Sequence, residues 1–133
     1  MINYYDDLIL LLDASSAPYS GFNVASIVVD KDGNSFKGVN VESVAYPTTM
    51  CAERTAIFSA IASGVKSGDI VEVHILARNI DKKIMRAFPC GSCRQVIAEQ
   101  SKNEATIYVY ASKKDVLEHK ISELLPNAFF TLD

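Results

Sequence analysis

Three cysteines and one glutamate carry the chemistry that this sequence can do. Cys51 stands two residues before Glu53 in Cys51-Ala52-Glu53, and Cys90 and Cys93 bracket Gly91-Ser92 behind Pro89. The two stretches hold every cysteine of the chain. Thiolates are zinc ligands, and a catalytic zinc site has three protein ligands with a fourth position open to water, whereas a structural site is closed by a fourth protein ligand. Cys51, Cys90 and Cys93 satisfy the catalytic count, for one zinc per chain. The metal lowers the pKa of water to about 7 and so makes a nucleophile at neutral pH. Glu53, beside one ligand, is placed to take a proton from that water and pass it on.

Three thiolates leave a zinc ion a weak Lewis acid unless positive charge surrounds them. Both stretches read as helix starts, and each helix N-terminus carries roughly half a positive charge. Arg54 follows Glu53 and Arg94 follows Cys93, where each can donate hydrogen bonds to the sulfurs. Other readings of these residues remain open. The cysteines can be buried thiols without a metal. Cys90 and Cys93 can be a thiol-exchange pair at a helix start, which leaves Cys51 and Glu53 without a role. A structural zinc site in an interaction module needs His74 or His119 as fourth ligand. His74, inside a strand, reads as a core or pocket-wall histidine, and His119, after a charged stretch, as an exposed one.

The elements that must position these residues follow from pattern. From Ile2 to about Ser15 the apolar Tyr5, Leu8, Ile9, Leu11 and Leu12 fall on one face of a helix. Turn formers at 17–21 end it, and Phe22 to Asp30 reads as a mostly buried strand. Asp32-Gly33 makes a hairpin turn into a second strand, Ser35 to Val41, which delivers Asn40 and Glu42 on one face at its far end. Thr48 or Thr49 caps a helix from Cys51 to Ser63 that Gly64 closes. Ile70 to Ala77 is a central strand rich in β-branched residues. After a polar connection, Pro89 precedes a helix from Gly91 to Gln100. Ala105 to Ala111 is the next strand, and a weak helical segment, Ile121 to Leu125, ends at Pro126.

The fold class is therefore α/β: a three-layer α/β/α arrangement with a mixed sheet of about five strands covered by helices on both faces. The two cysteine-bearing helices can start together at the carboxyl end of the central strands, where such sheets place ligands. A chain of 133 residues with 49% hydrophobic content suits a single domain, 1–133. A net charge of −3 gives no electrostatic reason to bind nucleic acid, so the expected partner is a small molecule. The apolar run Leu8 to Leu12 is too short to span a membrane and follows Asp6 and Asp7 rather than basic residues, which makes a soluble, cytoplasmic protein the expectation.

Read together, the motifs resemble those of the homotetrameric zinc-dependent cytidine deaminases. The resemblance rests on Ala17-Pro18-Tyr19-Ser20-Gly21-Phe22, Gly38-Val39-Asn40-Val41-Glu42, Cys51-Ala52-Glu53-Arg54-Thr55-Ala56, Pro89-Cys90-Gly91-Ser92-Cys93-Arg94-Gln95 and Leu124-Leu125-Pro126-Asn127-Ala128-Phe129, in the family's order and spacing. It implies hydrolytic deamination of cytidine and 2′-deoxycytidine in pyrimidine salvage, in a homotetramer with shared active sites. It further implies that Asn40 and Glu42 hold the ribose hydroxyls, that the Ala52 amide meets the base carbonyl, and that Phe22 and Phe129 flank the pyrimidine, with Tyr46 a further substrate contact. Phe22, Tyr46 and Phe129 can equally be core aromatics. Ala25 stands where the family usually has Gly, and Phe88 where it has a small hydroxylated residue, so pocket shape near the leaving group is expected to differ. Deamination of another cytosine nucleoside, such as blasticidin S, is the alternative within enzymes.

Overall fold

The structure, a computed structural model, describes every residue from Met1 to Asp133. In chain order the elements are α1 (Tyr5–Leu12), β1 (Asn23–Asp30), β2 (Ser35–Val39), α2 (Ala52–Ala62), β3 (Ile70–Arg78), β4 (Ile84–Met85), α3 (Gly91–Gln100), β5 (Thr106–Tyr110), β6 (Val116–Lys120) and α4 (Ile121–Leu124). The strands form one mixed sheet ordered β2-β1-β3-β5-β6, with β4 paired to the end of β3. β3 and β5 run parallel, and every other pair is antiparallel.

Alternation along the central strands sends side chains to two cores. Val28, Val73, Ile75, Ile107 and Val109 pack with Ala56, Ile57 and Ala60 of α2 and with Ile97 and Ala98 of α3. On the opposite face Ala25, Ile27, Leu76, Tyr108 and Tyr110 meet Leu8 and Leu12 of α1. A strand buried on both faces reads as a near-continuous apolar run, as β1 does from Val24 to Val29 with only Ser26 polar, its hydroxyl donating to the His74 carbonyl. At the sheet edge, Gly38 of β2 lies against the first turns of α2. A Cβ there would stand 2.3 Å from the Ala56 nitrogen and 2.4 Å from the Ala52 carbonyl oxygen, so only glycine permits the approach. No helix is long and apolar enough to cross a membrane.

Several boundaries differ from the sequence reading. α1 is shorter than Ile2 to Ser15, and β2 ends at Val39 rather than Val41. Asn40 lies just past that end; its amide still donates to the Val24 carbonyl at 3.2 Å, and its side chain adds two bonds to the β1 side, Oδ1 accepting the Val24 amide and Nδ2 donating to the Phe22 carbonyl, each at 2.8 Å. The sheet has six strands rather than about five. β4 is a two-residue strand inside the polar connection, and β6 is a half-exposed edge strand whose charged residues hide its pairing with β5.

Candidate functional site

Cys51 is the N-cap residue of α2 and Cys90 that of α3, both in extended conformation, while Cys93 lies in the first turn of α3. The sequence thus folds so that two helix starts face each other across three sulfurs, all within 4.8 Å of one another. The Cys51 and Cys90 sulfurs are 3.8 Å apart. Two sulfurs bound tetrahedrally at a zinc–sulfur distance of about 2.3 Å would lie about 3.8 Å apart, so the residues present fit a zinc ion. Cys93 is buried, Cys51 intermediate and Cys90 exposed, which leaves the cluster open on one side.

Neither histidine joins the cluster. His74 lies in the core on the α1 side, its Nδ1 2.7 Å from the Tyr110 hydroxyl and its Nε2 2.8 Å from Glu72. His119 packs edge-on against Phe88 with ring centroids 5.6 Å apart, and is half-buried rather than exposed.

The surroundings favour anionic sulfur at Cys51. A hydrogen bond from Cys93 and the Arg54 guanidinium, whose Nη2 is 3.5 Å from Cys51 Sγ, hold that thiol down to about 5. The thiolate in turn strengthens Arg54's hold on its proton. Cys93, hydrogen-bonded to Cys51 and buried, is pushed up. Arg94 does not act as expected: its Nε donates to the Pro89 carbonyl and its Nη1 to the Leu124 carbonyl, each at 2.7 Å. It holds the Pro89-Cys90 backbone and the tail in place instead of contacting a sulfur, because those carbonyls lie closer to its guanidinium.

Glu53 is 5% exposed, and burial, reinforced by the Cys51 charge, pushes its carboxyl up to about 7. It shares a cavity of about 220 Å³ with Cys51, Cys90 and Ala52 on one side and Phe22 and Asn40 on the other. Val24, Met50, Ile75 and Phe88 supply most of the remaining apolar wall. Phe88 is thus a pocket residue; Val24, Met50 and Ile75 were missed, since apolar residues inside or beside regular elements carry no sequence sign that they face a cavity. A larger hollow of about 380 Å³ lies between the β1–β2 turn and the end of α2, and none of the predicted site residues lines it.

The remaining expected residues lie outside this cavity. Glu42 is half-buried, and its Oε1 accepts the Tyr19 and Ser20 amides at 2.9 and 3.0 Å. Hydrogen bonds, the Ser20 hydroxyl's first among them, hold its carboxyl below the usual range. Tyr46 is 71% exposed and meets Tyr19 edge-on at 5.9 Å. Phe129 is 69% exposed, with its carbonyl accepting from Gln95. Neither Tyr46 nor Phe129 is a core aromatic.

A model of the cytidine and deoxycytidylate deaminase zinc-binding region matches residues 3–110. A cytidine deaminase of Halalkalibacterium halodurans is 39% identical over 121 residues, covering 91% of this chain and 87% of that one. A second, from Sporosarcina psychrophila, is 39% identical over 112 residues, covering 84% and 78%. The solved structure of cytidine deaminase from Burkholderia pseudomallei superposes with a TM-score of 0.86 at 34% identity, covering 97% of this chain and 100% of that one.

Proposed function

The chain belongs to the cytidine and deoxycytidylate deaminase family, and from that premise we propose that it takes cytidine and 2′-deoxycytidine to uridine and 2′-deoxyuridine with release of ammonia. The observation that carries this reading is one cavity into which a buried carboxyl, two of three clustered cysteines and a polar amide all open.

In this reading Cys51, Cys90 and Cys93 hold the zinc ion. Bound there, zinc acts as a Lewis acid that makes water nucleophilic at neutral pH. The remaining work falls to the chain's own groups. Glu53 accepts a proton from the attacking water and delivers it to the ring nitrogen. It then takes the second proton from the new hydroxyl on the reacting carbon and passes it to the amine, which leaves as ammonia when the C–N bond breaks and the carbonyl forms. A buried carboxyl whose pKa is raised toward neutrality is suited to both directions of transfer. Ala52 begins α2, so its amide lies among the helix-start N–H groups that lack intrahelical partners and is available to the base carbonyl. Phe22 covers a face of the base, and Asn40 and Glu42 meet the sugar. Arg54 steadies Cys51 as thiolate.

We further read the chain as a single domain, 1–133, working in the cytoplasm in pyrimidine salvage as a homotetramer. Phe129 and Tyr46, exposed on one chain, reach a neighbour's substrate. The test is an ultraviolet assay of the purified, zinc-loaded protein on cytidine, 2′-deoxycytidine, cytosine and blasticidin S. Turnover of the first two is the expected outcome. Turnover of blasticidin S alone would replace the substrate assignment, and turnover of none would remove the reading.

A further inference from the structure

The connection from α1 to β1 makes contacts that proton transfer does not require. The Ser20 hydroxyl donates to Glu42 Oε2 and accepts the Phe22 amide at 3.0 Å. The Ser20 amide, with that of Tyr19, fills Oε1 of the same carboxylate. Ser15 donates its hydroxyl to Asn40 Oδ1 at 2.5 Å and accepts from Asn23 Nδ2 at 3.0 Å. Asn40 Oδ1 also takes the Val24 amide, and one N–H of Nδ2 goes to the Phe22 carbonyl.

An amide side chain has one acceptor oxygen and two N–H donors, and a carboxylate only accepts. With its oxygen doubly bonded and one N–H taken, Asn40 has a single N–H left to offer. Glu42, with two donors on Oε1 and one on Oε2, has a lone pair left on Oε2. One N–H and one carboxylate lone pair complement a hydroxyl, which accepts from the first and donates to the second.

We propose that Ser15 and Ser20 are positioning residues that fix these two polarities, so that Asn40 and Glu42 together read one sugar hydroxyl of the substrate. The proposal rests on the nucleoside reading above. Ser20 also ties the sugar side to the base side, because its oxygen holds the backbone of Phe22, a cavity residue.

The experiment compares the wild type, Ser15→Ala, Ser20→Ala and Ser20→Thr on cytidine and its 2′-deoxy and 3′-deoxy analogues. The readouts are KM, kcat and, in a Glu53→Gln background where turnover is blocked, the Kd of each nucleoside. Ser20→Ala should raise KM and Kd for cytidine about tenfold, the size of one hydrogen bond to a charged group, with kcat within about twofold. Ser15→Ala should raise them about threefold, and Ser20→Thr should restore the wild-type values. Both penalties should vanish on the one analogue that lacks the hydroxyl being read. Equal penalties on all three nucleosides, or unchanged KM and Kd, would overturn the proposal. If the wild type turns over none of them, the deaminase reading fails on its own, and the Kd comparison still decides the role of the two serines.

Discussion

Asp30 and Glu53 are the two buried acids of the chain, and what surrounds each carboxyl separates their roles. Burial alone would raise Asp30, but hydrogen bonds from Asn34, Asp32 and Gly33 outweigh it and keep it below the usual range as a turn-binding carboxylate. Glu53 has no comparable set of donors, and burial wins. A carboxyl kept near neutrality beside clustered sulfurs can both take and give a proton. Glu53→Gln should therefore preserve the fold and the zinc content, measured by atomic absorption, while turnover falls by at least about 10². Near-normal turnover would end the proton-transfer assignment. Glu53 and the three cysteines were legible in sequence because short spacings from a helix start fix which side chains share a turn. Arg94 was not, because a long side chain bonds whichever carbonyls the tertiary fold brings within reach, here those of Pro89 and Leu124.

Two contacts between elements set the frame of the site. The first is Gly38, where β2 meets the start of α2 and so helps place Cys51 and Glu53. Gly38→Ala puts a methyl group into backbone atoms that cannot yield without moving the helix. It should lower stability by about 1–3 kcal/mol, read from the urea midpoint, and reduce zinc affinity as well. An unchanged midpoint would mean that α2 is free to shift. The second is the chain of hydrogen bonds that anchors α1. Glu72 can only accept, so His74 Nε2 carries the proton and Nδ1 accepts from the Tyr110 hydroxyl, which itself accepts the Tyr4 amide at 3.2 Å. Burial pushes Tyr110 up to about 12, so it stays a donor. Burial also lowers the pKa of His74, against the opposing pull of Glu72. Its imidazole is packed among the rings of Tyr4, Tyr108 and Tyr110, and a proton on Nδ1 would leave the Tyr110 hydroxyl hydrogen without an acceptor. Below about pH 6.5 the unfolded chain takes up a proton that the folded chain resists, so this contribution is complete above that pH and declines as pH falls through it. The slope cannot exceed about 1.4 kcal/mol per pH unit for one proton. Urea midpoints at about pH 7 and about pH 5.5 should show a drop that is smaller in His74→Gln, and equal drops would clear His74 of the effect. The frame itself was only partly legible. Apolar, β-branched runs and the turn residues beside them disclosed β1, β2, β3 and β5, whereas β6 is held by pairing to β5 despite a half-polar sequence, and β4 is too short to carry a pattern.

At the scale of the whole molecule the tail presents a mismatch between composition and placement. Phe129 and Leu132 are 69% and 91% exposed, and Val44 and Tyr46 are 78% and 71% exposed beyond the end of β2. Large apolar side chains left in water on a chain of this size mark surfaces that another molecule covers. The cavity holding Glu53 is partly open to solvent, and Phe129 of the same chain does not line it. A neighbouring copy can supply the missing ring, and twofold pairing makes each chain both donor and recipient of that contact. From sequence, the aromatic tail and the family resemblance pointed to shared sites, but which side chains stay uncovered became visible only with the fold. If the tail completes a neighbour's pocket, Phe129→Ala should weaken nucleoside binding by about 1 kcal/mol, a KM increase of several-fold, while zinc content and kcat change little. Sedimentation velocity of the wild type should give a tetramer, and dilution below the dissociation constant of that assembly should cost substrate affinity before it costs the metal. A fully active monomer at assay concentration would refute the shared pocket while leaving the cysteine cluster and Glu53 untouched.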